Sequence, residues 1–263
     1  MDPAEGETPP SRDESDLMNQ FVDAVHWIFT RSNWHEVNLQ AGIGSQLTYH
    51  VELSAISIVA AALIAIPVGM LVGHRRRGEF LAVSVANVGR AIPSFALVVL
   101  VFIAVGNLVP SLQLSMAPTT IALVLLAMPP ILTNTYVGIQ AVDADTVEAA
   151  RGMGLSERQV LLDLELPLAA PLIMAGLRTA AVTVVATATL AGFVGAGGLG
   201  VFLYNGFAQQ GQEQQLIGGA MLVAILAILT EVAFAALERA VTPRTMSRQR
   251  RVVSPGPRAV VAA

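Results

Sequence analysis

"GFVGAGGLGVFLYNG" (residues 192–206) places Gly195, Gly197 and Gly200 in the spacing G-x-G-x-x-G, the spacing of a dinucleotide-binding turn. A working turn of that kind makes the chain a doubly wound α/β protein; otherwise the glycines need another use. The phosphate-binding turn requires a strand before it, a helix after it within a βαβ unit, and an acid about 20 residues beyond. Here an apolar run with threonines at 183, 187 and 189 comes before, and the nearest acid, Glu213, precedes another apolar run. The glycines are therefore read as a tight turn at the end of an apolar segment.

Composition points the same way. The 263 residues are 54% hydrophobic and 13% charged, against about 25% charge in an ordinary soluble domain. No charged residue occurs between Arg90 and Asp143 or between Arg178 and Glu213. Stretches so long cannot all be buried in a soluble core of this size, so the sequence implies an integral membrane protein. Cysteine is absent, which excludes disulfides, thiolate metal sites and cysteine nucleophiles. All 15 basic residues are arginine, and a Walker A loop needs a lysine on the nucleotide phosphates. Any ATP-driven work therefore needs an ATPase on another subunit.

Five segments are long enough to cross about 30 Å of hydrocarbon: residues 53–73, 80–106, 117–139, 172–194 and 216–237. Arg90 and Pro93 should kink or break the second. Residues 1–14 read as disordered, and the N-terminus lacks the basic start and compact apolar core of a signal peptide. Within 15–31, Leu17, Phe21, Val25 and Ile28 fall at helical spacing. That segment is an amphipathic helix, lying at an interface or capping protein.

Arginines set the orientation. Arg75, Arg76 and Arg77 lie between the first two spans, and Arg239, Arg244, Arg248, Arg250, Arg251 and Arg258 fill the tail 239–263. The loops at 107–116 and 195–215 carry no basic residue, and residues 1–50 hold eight acids against two arginines. An outside N-terminus, a cytoplasmic C-terminus and a cytoplasmic loop at 140–171 follow. The tail reads as a positive-inside anchor.

That loop contains "VDADTVEAARGMGLSERQVLLDLELPLAAP" (142–171). Asp145 with Glu148 reads as a helix start, and Gly152 and Gly154 as its end. Ser156 with Gln159 is a capping box opening a second short helix, closed by Pro167. Ala149 and Ala150 give the first helix a slim face for another surface to approach. Two capped helices in a loop read as a docking element.

Glu148-Ala149-Ala150, Gly154 and Leu164-x-Leu166-Pro167 resemble the signature E-A-A-x(3)-G-x(9)-I-x-L-P of permease subunits in binding-protein-dependent ABC importers. Leu164 stands where that family usually has isoleucine, a volume-conserving exchange. "NVGRAIPSFALVVL" (87–100), "PPILTNTYVGI" (129–139) and "GLRTAAVTVVATATLAGFVGAGGLG" (176–200) narrow the resemblance to the bacterial osmoprotectant permeases for glycine betaine, carnitine and choline. The similarity spans most of residues 45–238.

The resemblance implies an all-α, type I ABC importer permease fold, with five core transmembrane helices plus the amphipathic N-terminal helix, in a bacterial cell membrane. It implies that Glu148, Ala149, Ala150, Gly154, Leu164, Leu166 and Pro167 couple to the cytoplasmic ATP-binding subunit. Gly195, Gly197, Gly198 and Gly200 would form a turn at the external gate, facing the extracytoplasmic solute-binding protein. A second permease, identical or homologous, completes the expected set. ATP and Mg belong to the ATPase; this subunit needs no cofactor, catalyses no bond change and has no nucleic-acid partner.

Asn87, Ser94, Thr133, Asn134, Thr135, Tyr136, Thr183 and Thr187 are among the polar side chains of the spans. They either hydrogen-bond between helices or line a weakly polar path. The candidate path takes Asn87, Arg90, Pro93, Ser94, Asn134, Tyr136, Thr183 and Thr187. Arg178 is read as structural, pairing with Glu231. Aromatic residues are scarce, so no quaternary-ammonium cage is expected in this chain. His26, His35, His50 and His74 lack metal-ligand spacing, and no metal site is expected. Two rivals stand beside the osmoprotectant reading: an ABC permease for methionine or another amino-acid-like solute, and an ion-driven secondary transporter. The second would favour inverted repeats and a midplane ion site, neither visible here.

Overall fold

The computed structural model describes residues 14–35, 42–76, 84, 91–113, 115–209 and 211–241. Of the stretch 1–14 expected to be disordered, only Glu14 is described, and it is helical; residues 1–13, the first part of the second span with Asn87 and Arg90, Arg77, and the tail beyond Val241 lie outside the described residues. The described residues contain no strand. Helices follow in the order α1 (Glu14–Phe29), α2 (Ile43–Arg75), α3 (Ser94–Leu108), α4 (Ala117–Gln140), α5 (Ala144–Gly152), α6 (Glu157–Gln159), α7 (Leu166–Thr187), α8 (Leu190–Phe193), α9 (Gly200–Ala208) and α10 (Glu213–Val241). Among the described residues, four helical stretches are long and apolar enough to cross a membrane: Ile43–Arg75, Ala117–Gln140, Glu157–Phe193 and Glu213–Ala240. The shorter apolar helix Ser94–Leu108 starts directly after Pro93, where the sequence predicts the break.

α4 is the central helix, held between α2 and α7. Ser57, Ala61, Ala65, Gly69 and Gly73 repeat every fourth residue and are all buried on one face of α2. Such a stripe lets two backbones approach where apolar burial gives no preference for protein over lipid. At Gly69 an added Cβ would lie 2.7 Å from Thr135 Cβ, and at Gly73 2.7 Å from Ile139 Cβ. Leu53, Leu123, Ile131, Tyr136, Ala180 and Val184 fill the shared core. The outer surfaces stay apolar, with Leu63, Leu100, Ile228, Leu229 and Val232 exposed. An exterior like this matches a lipid environment.

α1 packs on α10, burying Ala24 and Ile28. Trp27 stands edge-to-face with Phe202 at 5.1 Å. The opposite side of α1 exposes Phe21, Val22, Val25 and Phe29.

Two loop expectations are corrected. Pro167 does not close the helix opened by Ser156: the chain runs on from Glu157 through a widened π turn at Val160–Glu165 into α7. Proline is tolerated there because it falls in the first turn of α7, after the register has already shifted. The stretch 195–215 is not a plain loop, since it contains α9 and the start of α10.

Candidate functional site

Charge, capping and apolar packing build a rigid hairpin from residues 142–165. The Asp145 N–H donates to Asp143 Oδ1 at 3.3 Å, so Asp143 caps α5. The helix start expected at Asp145 moves two residues earlier, because the capping side chain must precede the first free N–H groups. α5 ends at Gly152, and Gly154 turns the chain with φ +90° and open space around its Cα. The capping box forms: the Gln159 N–H donates to Ser156 Oγ at 3.4 Å, and the Ser156 N–H to Gln159 Oε1 at 2.9 Å. Arg151 closes the turn, with Nε and Nη2 donating to the two oxygens of Glu157, each at 2.9 Å. This fork holds the Glu157 carboxyl below its ordinary value.

The hairpin has its own core of Val142, Val147, Ala150 and Val160, with Leu155, Leu164 and Leu168 against it. Ala150 therefore belongs to the interior, not to the slim outer face expected of it. Glu148, Ala149, Gly154 and Pro167 are exposed, and Leu164 and Leu166 are half-buried. Glu148 and Ala149 are thus open to a second protein, while Leu164 packs the hairpin against its stem.

A contact absent from the sequence reading ties the hairpin to α2. His74 Nδ1 lies 2.6 Å from Glu165 Oε2, and His74 Nε2 lies 3.0 Å from Glu157 Oε2. The Glu165 side chain is 6% exposed and that of His74 11%, whereas that of Glu157 is 62% exposed. Glu165 is the residue between Leu164 and Leu166 in the loop signature. An acid at that place was visible in the sequence, but its partner, 91 positions away, was not. Among the described residues, an open groove of about 810 Å³ beside this contact is lined by His74, Arg75, Arg76, Glu148 and Arg151.

The glycine turn lies at the far end of α7. Gly195, Gly197 and Gly198 have φ values of +77°, +109° and +85°, a region that residues with a Cβ rarely adopt. Gly200 does not: it is the first residue of α9, and an added Cβ would run into the Thr189 carbonyl. Its glycine is required by close approach, not by φ. The turn is held by two α2 side chains that sequence reasoning missed. The Gly198 N–H donates to Gln46 Oε1 at 2.6 Å, and the Leu199 N–H faces His50 Nδ1 at 3.3 Å. His50 Nε2 lies 2.9 Å from the Val185 carbonyl. An imidazole with the proton on Nε2 satisfies both contacts, so fully buried His50 joins α2, α7 and the turn.

The candidate path residues separate. Asn134 and Tyr136 sit in helix contacts: Asn134 Nδ2 donates to the Pro130 carbonyl at 2.8 Å and backs onto Gly176, and Tyr136 is in the core. Thr135 is buried, with its hydroxyl donating to Ile131. Pro93, Ser94 and Thr183 are exposed and Thr187 half-exposed. Thr179 and Thr183 share a face of α7 and donate to the carbonyls one turn back, which leaves oxygen lone pairs outward. Arg178 pairs with Glu231 at 3.3 Å, as expected, and also with Glu238 at 3.2 Å.

Residues 65–246 match the family model described as the binding-protein-dependent transport system inner membrane component. The chain is 34% identical over 218 residues to the choline transport system permease protein OpuBB of Bacillus subtilis, covering 81% of this chain and 97% of that protein. It is 35% identical over 229 residues to the carnitine transport permease protein OpuCB of Listeria monocytogenes, covering 87% and 98%. Its fold is similar to a chain of the inward-facing MetNI methionine ABC transporter, with TM-score 0.68, 23% identity, and 76% of this chain and 96% of that one covered.

Proposed function

Because the chain belongs to the binding-protein-dependent transport system inner membrane component family, we propose that it is the permease subunit of an ATP-driven importer of osmoprotectants such as glycine betaine, carnitine or choline. The carrying observation is the family signature folded as a rigid, exposed hairpin continuous with a spanning helix. The relatives' choline and carnitine transport names support the solute class.

In this reading the ATPase receives Glu148, Ala149 and the Gly154 turn. Force reaches α7 without a flexible joint, because helical geometry continues from Glu157 to Thr187. It reaches α2 through His74 and Glu165. The far ends of α2 and α7 hold the glycine turn through Gln46 and His50, so rocking of these helices moves the gate. Arg75, Arg76 and Arg239, at the ends of α2 and α10, support a cytoplasmic hairpin end through the positive-inside rule. The solute-binding protein then meets the glycine turn outside, and a second permease covers the exposed α7 face.

Uptake of labelled glycine betaine, choline and carnitine tests this in cells lacking their own osmoprotectant importers and expressing the complete system. ATP-dependent uptake that Gly154→Asp abolishes is the expected result. Uptake that an ionophore stops while ATP is maintained would overturn the reading in favour of an ion-driven transporter. Methionine uptake without betaine uptake would move the solute class.

A further inference from the structure

The chain has few aromatic residues, yet the fold gathers three of them beside the glycine turn. Phe193 on α8 stands edge-to-face with Phe95 at the start of α3 (6.3 Å, 81°) and with Tyr204 on α9 (5.8 Å, 80°). Rings that only filled a core would be covered. These are 48% (Phe95), 38% (Phe193) and 45% (Tyr204) exposed. Phe193 follows the exposed Thr179–Thr183 face of α7 along the same chain, directly before the glycine turn. Phe95 follows Pro93 and Ser94, where the second apolar segment breaks.

The surroundings limit what such a cluster can hold. Phe95 lies in the charge-free stretch between Arg90 and Asp143, and Phe193 and Tyr204 lie in that between Arg178 and Glu213. A cation passing here meets no carboxylate from either stretch. Ring faces carry the negative side of the aromatic quadrupole and attract a cation within about 6 Å of the centroid, most usefully where water is thin. A quaternary ammonium has no N–H to donate, so the threonine hydroxyls cannot satisfy it directly, whereas its methyl groups pack on rings. Passage also needs a site weak enough to release its occupant, which a buried carboxylate would not be.

We propose that Phe95, Phe193 and Tyr204 form a transient site for the trimethylammonium group of the transported solute, beside the external gate. It goes beyond the sequence reading, in which no quaternary-ammonium cage is expected in this chain, and it rests on the osmoprotectant reading above. The site is a waypoint between the solute-binding protein and the threonine face of α7.

The test uses the complete importer in proteoliposomes with its solute-binding protein and labelled choline or glycine betaine. Phe193 is replaced by mono-, di- and trifluorinated phenylalanine, which keep ring size while draining negative potential from the face, and by leucine. The expected result is a stepwise fall in maximal uptake rate, reaching about tenfold with Phe193→Leu. Phe193→Trp and Tyr204→Phe, which keep a ring, should stay within about twofold of wild type. Uptake indifferent to fluorination overturns the proposal, whether the rings face lipid or the second permease. A wild-type importer that moves no trimethylammonium solute fails at the earlier step and refutes the osmoprotectant reading itself.

Discussion

Replacing His74 by leucine should damage this protein far more than a surface histidine would. The 2.6 Å contact between His74 and Glu165 joins side chains only 11% and 6% exposed. Leucine keeps much of the volume but leaves the Glu165 carboxylate buried without its partner. Breaking a buried pair from one side costs about 3–5 kcal/mol, because the uncompensated charge remains. The second contact, to the largely exposed Glu157, adds little. Removing both partners together, as His74→Leu with Glu165→Met, leaves an apolar contact of similar size, and such double exchanges are often neutral or stabilising. The assay is thermal unfolding of the purified complex in detergent, paired with solute transported per ATP hydrolysed. Unfolding midpoints should rank wild type and double variant together and well above the single variant. Coupling should behave differently, with both variants wasting ATP, because neither keeps the link between α2 and the hairpin. A single variant within about 0.5 kcal/mol of wild type, the range of an ordinary surface substitution, would refute the reasoning. So would a double variant less stable than the single one.

The hairpin turn offers an internal control: Gly152 and Gly154 both have open space at the missing Cβ, but only Gly154 has positive φ. Gly154→Ala should cost about 1–2 kcal/mol of turn stability and reduce ATPase coupling, while Gly152→Ala should be harmless, both read by transport per ATP. Gly200→Ala places a methyl against the Thr189 carbonyl, which is backbone and cannot swing aside. It should destabilise by about 1–3 kcal/mol or more, seen as a lowered unfolding midpoint with the hairpin's coupling contacts untouched. His50→Ala removes both contacts that join α2 to Val185 and Leu199, leaving a buried N–H unsatisfied at a cost of about 1–3 kcal/mol. Because the chain has no cysteine, one thiol introduced at Ala196 reports on the turn. Its labelling by a polar maleimide should speed up several-fold in His50→Ala, and an unchanged rate would count against His50 holding the turn.

Much of this protein was legible in one dimension, for physical reasons that are themselves local. Apolar runs of about 20 residues have one common use, and the break before Ser94 follows from Pro93. The Ser156–Gln159 capping box and the Gly154 turn involve neighbours three residues apart or a single φ. The hairpin signature depends on spacing alone. The glycine spacing that imitates a dinucleotide turn is resolved by its apolar flanks alone.

What the sequence could not supply were contacts whose partners lie far apart along the chain. His74 and Glu165 are separated by 91 positions, and His50 and Leu199 by 149. Nothing in the spacing of four scattered histidines distinguishes these two from the others. Pro167 looked like a helix end because local rules cannot foresee a widened turn, set by packing on both sides, that absorbs it. Ala150 looked like a docking face because burial depends on what lies opposite. The three rings are scattered in sequence and meet only when α3, α8 and α9 converge. Backbone preference and membrane partition act over a few residues or one segment, and they fix which segments are helices and where those segments reside. The choice of neighbour for each buried polar or aromatic side chain is made by close packing of separate segments, and tertiary structure alone decides it.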